Sequence, residues 1–210
     1  MFGIENYVGF LIAGILVNLL PGSDTMYILT RSIAQGKKAG MFSVLGISTG
    51  CIIHTIFAAF GLSAILMSSA TLFHAIKYLG AAYLAYLGIR MILERSPLFE
   101  TNERGLERDD LFKIYRQGML TNVLNPKVAL FFLSFLPQFV RPEQANGALP
   151  FLILGGTFAT TGTLWCLFLA YFASLMTHTL RNNQSIGKIL QKASGLVFVG
   201  LGVQLAVKAD

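Results

Sequence analysis

The charged residues of this chain leave long gaps. No Asp, Glu, Lys or Arg falls within 6–23, 41–76, 78–89, 128–140, 144–180 or 193–207. A helix needs about 20 residues to cross a hydrocarbon core about 30 Å thick, and several of the gaps are long enough. Only 12% of the 210 residues are charged and 54% are hydrophobic, whereas a soluble domain carries roughly a quarter charged. A soluble protein of this size has too little polar surface to cover so much apolar material. The runs are continuous and do not alternate over segments of about ten residues, which argues against a β-barrel. The expected fold is all-α and integral to a lipid bilayer.

No Lys or Arg precedes the first apolar run and no small-residue cleavage site follows it. The first segment is therefore expected to be retained, not removed as a signal peptide. Cys51 and Cys166 both fall in apolar segments, a pattern of neither a disulfide framework nor a zinc site. Most Phe and Tyr residues are expected to face lipid or the interface.

Six spans are placed at 7–32, 40–66, 71–93, 117–140, 149–176 and 187–207. The polar stretch 94–116 mixes acids and bases and reads as a loop with a short amphipathic helix, too short for a second domain. One membrane domain over 1–210 is expected. Twelve of the 16 Lys and Arg residues fall in connections one–two, three–four and five–six. The opposite side holds Lys77, Arg141 and Lys208, and Lys127 lies inside span four. Basic residues collect on the cytoplasmic side, so both termini are expected on the opposite side of the membrane. A net charge of +6 built from such loops reports orientation, not nucleic-acid binding.

The first span is interrupted by NLLPGSDTM (18–26) and the fourth by NVLNPKVAL (122–130). NLLPG aligns with NVLNP at an offset of 104, GISTG (46–50) with FATTG (158–162), and YLGI (86–89) resembles VGLGV (199–203). The order is the same twice: a breaker segment, a small-polar segment, a Gly-rich segment. Repeat one is expected over about 1–93 and repeat two over about 117–210. Three spans per half make the second half enter the membrane inverted. Inverted repeats with matched broken helices are a transporter pattern, and the breaks point to the substrate site. The simpler alternative is that Pro21 and Pro126 only kink their helices.

Few titratable groups sit at mid-depth. Asp24, Lys127 and His54 do, and a charge there costs roughly 2.5–3.5 kcal/mol on insertion scales. Asp24 also follows Pro21-Gly22 and suits the N-terminus of the helix that restarts there. Lys127 can instead snorkel, and His54 can be a hydrogen-bonded packing residue. Gly36/Gly40 and Gly46/Gly50 have the spacing of close helix packing. Thr49, Thr160, Thr161 and Thr163 can line a pore or bond back to their own helices.

Four stretches carry a family resemblance: LLPGSDTMYILTRSIAQGKKAG (19–40), LFHAIKYLGAAYLAYLGIRMI (72–92), NVLNPKVALFFLSFLPQFV (122–140) and SGLVFVGLGVQLA (194–206). Over nearly its whole length the chain resembles the LysE/RhtB family of bacterial amino-acid exporters. The family's first motif is Pro-Gly-Pro followed by Asp or Asn. Ser23 replaces the second Pro here, which implies a softer break. The resemblance implies export of amino acids or close derivatives, coupled to protons, with no cofactor, and it leaves open a homo-oligomer.

A zwitterion needs an anion site and a cation site at one depth. The helix restarting at Gly22, Ser23, Asp24 and Thr25 offers backbone N–H groups for a carboxylate, and Lys127 a charge. Asp24 suits the ammonium. Asn18, Asn122 and Asn125 can satisfy carbonyls freed at Pro21 and Pro126 or bind substrate. Asp24 and Lys127 are expected to share one cavity, in direct contact before substrate arrives. One acid and one base in balance favour a neutral cargo such as threonine, homoserine or leucine. A divalent-metal exporter of related topology is the alternative, but it needs several carboxylate, His or thiolate ligands at one level. An enzyme needs a nucleophile–base pair or a metal motif, and neither is apparent in the sequence.

Overall fold

A computed structural model describes residues 2–64, 70–93, 109–141, 147–182 and 184–207. Among these residues the regular structure is helical, apart from one antiparallel bridge between Ile4 and Val140. Helices α1 (Tyr7–Leu19) and α2 (Ser23–Gln35) form a pair bent by 48°. Then come α3 (Lys37–Phe57), which runs on into a π-helical turn at Ala58–Leu62, and α4 (Ala70–Leu93). Helices α5 (Leu111–Val123) and α6 (Pro126–Leu130) form the second bent pair, at 45°. Helix α6 continues through a π-helical turn (Phe131–Phe135) and a 3-10 turn (Leu136–Phe139). The chain ends in α7 (Leu149–Asn182) and α8 (Gln184–Val207).

Lys37–Leu62 and Leu149–Ala173 are each long and apolar enough to cross a membrane, and each bent pair passes the same test as one broken span. Helices α4 and α8 have 24 residues each, a length of about 36 Å at 1.5 Å per residue. The two breaks bend their helices by similar angles, 48° at Pro21 and 45° at Asn125-Pro126.

Two expectations change. The fourth segment begins at 111, six residues before the expected start, so the end of the 94–116 stretch is helix; residues 94–108 lie outside the described residues. Its mixed charge hid a helical face: Ile114 and Gly118 are buried four residues apart while Lys113 and Arg116 point away, as helical spacing demands. Helix α5 lies tight on α3 because Gly46 and Gly50 carry no side chain. A Cβ at Gly50 would come within 2.8 Å of Asn122 Cβ, and one at Gly46 would meet the Tyr115 carbonyl. This fits the close-packing reading of that glycine pair.

Most of the described Tyr and Phe residues are exposed or half-buried, but one group of phenylalanines departs from that expectation. Phe10, Phe131, Phe132, Phe135, Phe139, Phe151 and Phe158 are buried together. Phe131 stacks on Phe158 with ring centroids 4.2 Å apart, and Phe10 meets Phe139 edge-on at 5.3 Å. Offset and edge-on ring pairs add stability beyond the area they bury. These residues come from the start of α1, the continuation of α6 and the start of α7, so they seal the end of the bundle nearest the N-terminus. Large apolar residues on the outside, among them Phe57, Leu79, Leu164 and Leu196, suit contact with lipid.

Candidate functional site

Proline explains both breaks in the same way. In an α-helix the carbonyl of residue i accepts from the N–H of residue i+4. Pro21 has no N–H for Val17, and Pro126 has none for Asn122. Lys127 Nζ donates to the Val17 carbonyl at 3.2 Å and to the Leu20 carbonyl at 2.9 Å. The Lys127 side chain lies against Gly22, where a Cβ would be in ordinary contact with Nζ at 3.4 Å. At the second break the Asn122 carbonyl accepts from Asn125 N–H at 3.0 Å and from His54 Nε2 at 3.2 Å. Asn125 Oδ1 accepts from Lys127 N–H at 3.0 Å and so caps α6, with Pro126 in the first turn, where a missing N–H is harmless.

Between the breaks lies a cavity walled by six helices. Asn18 comes from α1, Asp24 and Thr25 from α2, and Ile47, Ser48 and Cys51 from α3. Asn122 comes from α5, and Lys127 and Val128 from α6. Helix α7 supplies Phe158, Gly162 and Cys166 at four-residue spacing, with Ala159, Thr163 and Trp165 beside them. About 30 Å³ is open to the centre of a water molecule. One water needs about 10–15 Å³ of such space, so anything larger than a water or two requires the walls to part.

The polar atoms of this cavity are unevenly satisfied. Asp24 is 8% exposed. Its Oδ2 accepts from Asn122 Nδ2 at 2.8 Å, while its buried Oδ1 has no protein partner. Asn122 Oδ1 and Trp165 Nε1 are likewise buried without one. Asn18 Nδ2 donates to the Phe158 carbonyl at 3.3 Å and to Thr161 Oγ1 at 3.1 Å. Ser48 and Thr163 pair their hydroxyls at 2.8 Å. An unpaired buried polar atom costs roughly 1–3 kcal/mol, so the cavity is built to be completed by something polar.

The expected site residues divide accordingly. Asp24, Lys127, Asn18 and Asn122 face one cavity. No direct ion pair joins Asp24 to Lys127, because the carbonyls orphaned by Pro21 hold the ammonium and Asn122 holds the carboxylate. None of the three asparagine side chains donates to a carbonyl freed at either break. Pro21, Gly22, Asn125 and Pro126 shape the breaks. Ser23 is exposed in the first turn of α2 and does not line the cavity. His54 lies behind the second break, stacked on Phe132 at 5.6 Å. Of the threonines, Thr163 lines the cavity, while Thr49 and Thr160 bond to carbonyls of their own helices.

A polar cluster lies at the other end of α2 from the break. Arg31 Nη2 pairs with Asp109 Oδ2 and with Gln117 Oε1, each at 2.7 Å. Tyr27 Oη donates to the Ile114 carbonyl at 2.8 Å, and Lys113 Nζ meets Asp109 Oδ1 at 2.6 Å. The hydrogen bond from Lys113, then that from Arg31, hold the Asp109 carboxyl below its ordinary range against the opposing effect of desolvation. The cavity thus lies between an aromatic closure at one end and an ionic closure at the other.

Two broken helices around a small cavity with unpaired buried polar atoms fit the pattern of a carrier. A family model, LysE type translocator, matches residues 15–209. The chain belongs to the LysE type translocator family. It is a multi-pass membrane transporter, not an enzyme. One LysE relative is an uncharacterized membrane protein of Bacillus subtilis (strain 168), 34% identical over 92% of this chain and 94% of its own length. Another, of Pseudomonas aeruginosa, is 32% identical over 97% of this chain and 96% of its own. The leucine efflux protein of Salmonella typhimurium is 29% identical over 98% and 96%. No solved structure matches. Among the described residues, no three His, Cys, Asp or Glu side chains group to hold a metal ion.

Sequence reasoning missed Trp165, Ile47, Ser48, Val128, Phe158 and the two thiols as lining residues. The signal for α7 was the small-residue stripe Ala159, Gly162 and Thr163 on one face of its helix.

Proposed function

We propose that the protein exports neutral amino acids, leucine foremost, from the cytoplasm across a bacterial inner membrane, and that the cavity between the breaks is the binding site. The observation that carries this reading is the buried Asp24 Oδ1, without a protein partner between two broken helices. An ammonium group supplies the donors that Asp24 Oδ1 and Asn122 Oδ1 lack. Ile47, Val128, Cys51 and Cys166 give an aliphatic side chain an apolar wall. Leucine enters the proposal through the relative named as a leucine efflux protein. Asp24 also serves as the group that takes a proton in exchange for cargo, since a carboxylate at this depth is costly unless paired or protonated.

In this reading each half of the chain supplies three crossings, with α4 and α8 as third and sixth. The ionic closure at Arg31 and Asp109 faces the cytoplasm, in line with the excess of basic residues on that side. Cargo enters there and leaves past the aromatic closure.

The test is to load cells with dipeptides of leucine, threonine, methionine and lysine and follow the freed amino acids. Cells making this protein should release leucine faster than control cells and lysine no faster. Equal release of all four with and without the protein would refute the proposal.

A further inference from the structure

We propose that Trp165 is the specificity residue for the carboxylate of the cargo. This rests on the reading of the cavity as an amino-acid site and names the part of it that nothing so far assigns. The cavity wall has few donors to offer. Asn122 Nδ2 donates to Asp24, Asn18 Nδ2 to Phe158 and Thr161, and one of the Ser48 and Thr163 hydroxyls to the other. Two of the three N–H groups of Lys127 go to carbonyls of the first break. Trp165 Nε1 differs: it is buried and has no partner, on a residue that lines the cavity.

A buried indole N–H normally finds an acceptor. The protein supplies none here, so the acceptor comes with the ligand. The ring is held in place by stacking on Phe168, with centroids 5.4 Å apart and planes 15° from parallel. A donor fixed in this way loses little freedom when a ligand binds. With Asp24 Oδ1 and Asn122 Oδ1 as acceptors for the ammonium, and Trp165 Nε1 beside the third N–H of Lys127 as donors for the carboxylate, the cavity offers the complement of a zwitterion. Cargo is accordingly an α-amino acid with a free carboxylate. An amine with the same side chain leaves Nε1 unpaired and binds more weakly.

Trp165 is the only tryptophan in the chain, so tryptophan fluorescence reports on this indole alone. The purified protein is titrated with leucine and with isoamylamine, which keeps the side chain and ammonium but lacks the carboxylate. Binding is measured in parallel by calorimetry. Leucine should change the tryptophan emission saturably, at concentrations matching its calorimetric affinity, and isoamylamine should not. In Trp165→Phe the preference for leucine over isoamylamine should shrink about tenfold or more, with isoamylamine affinity retained. Leucine binding with no change in emission, or an undiminished preference in Trp165→Phe, overturns this assignment alone. Failure of leucine and of every other neutral α-amino acid to bind the wild type overturns it together with the reading on which it rests. If the variant does not fold, the wild-type titration decides.

Discussion

At the first break the carbonyl that Pro21 deprives of a donor is met from the other half of the molecule, by Lys127 Nζ. At the second, the carbonyl that Pro126 deprives is met by the Asn125 N–H of the same break, with His54 Nε2 alongside. One break is held in trans and the other largely in cis. The same proline chemistry therefore gives two joints of different dependence. The second keeps its local bonds wherever α6 moves. The first keeps its shape only while α6 stays beside it, so Lys127 couples the two joints. A carrier whose walls must part to admit cargo can use that difference, because parting the breaks frees the carbonyls and the ammonium together.

Removing Lys127 should have the largest effect. Lys127→Met leaves the Val17 and Leu20 carbonyls without donors, at about 1–3 kcal/mol for each buried group. We expect a clear fall in the thermal unfolding temperature in detergent and export lowered by tenfold or more. Pro21→Ala sharpens the point. Alanine restores an N–H for Val17, so the Lys127→Met loss should shrink by about 1 kcal/mol in that background. Strict additivity of the two changes would show that Lys127 does not stand in for the missing N–H.

Smaller effects belong to the second break. Asn125→Ala removes the cap of α6 and should cost about 1 kcal/mol, seen as a modest drop in unfolding temperature. His54→Phe keeps a ring against Phe132 and loses one donor to a carbonyl that retains another. Its cost should be about 0.5–1 kcal/mol, with export near normal. A loss from His54→Phe as large as that from Lys127→Met would erase the contrast between the joints.

Both breaks were readable in the sequence, because a proline inside an apolar span has few other meanings. Asp24 was readable as well, as the one carboxylate at mid-depth. Asp24 and Lys127 do line one cavity, but the direct contact expected between them is absent, because charge was weighed and the backbone was not: Pro21 already implied a carbonyl at Val17 in need of a donor. The start of α5 was hidden by its basic residues, which coat the outside of a helix whose inner face is Ile114 and Gly118. Trp165 left no signal, since one aromatic in an apolar run looks the same whether it faces lipid or a cavity. The buried phenylalanines were missed for that reason too.

Asp24→Asn tests the central claim most directly. Asparagine keeps the size of the side chain and an oxygen for Asn122 Nδ2, and it removes the charge an ammonium would meet. Net efflux of preloaded leucine should be followed from liposomes holding equal amounts of folded wild-type or variant protein. The account predicts a loss of about tenfold or more, the scale of a hydrogen bond to a charged group. Undiminished efflux through Asp24→Asn would contradict it.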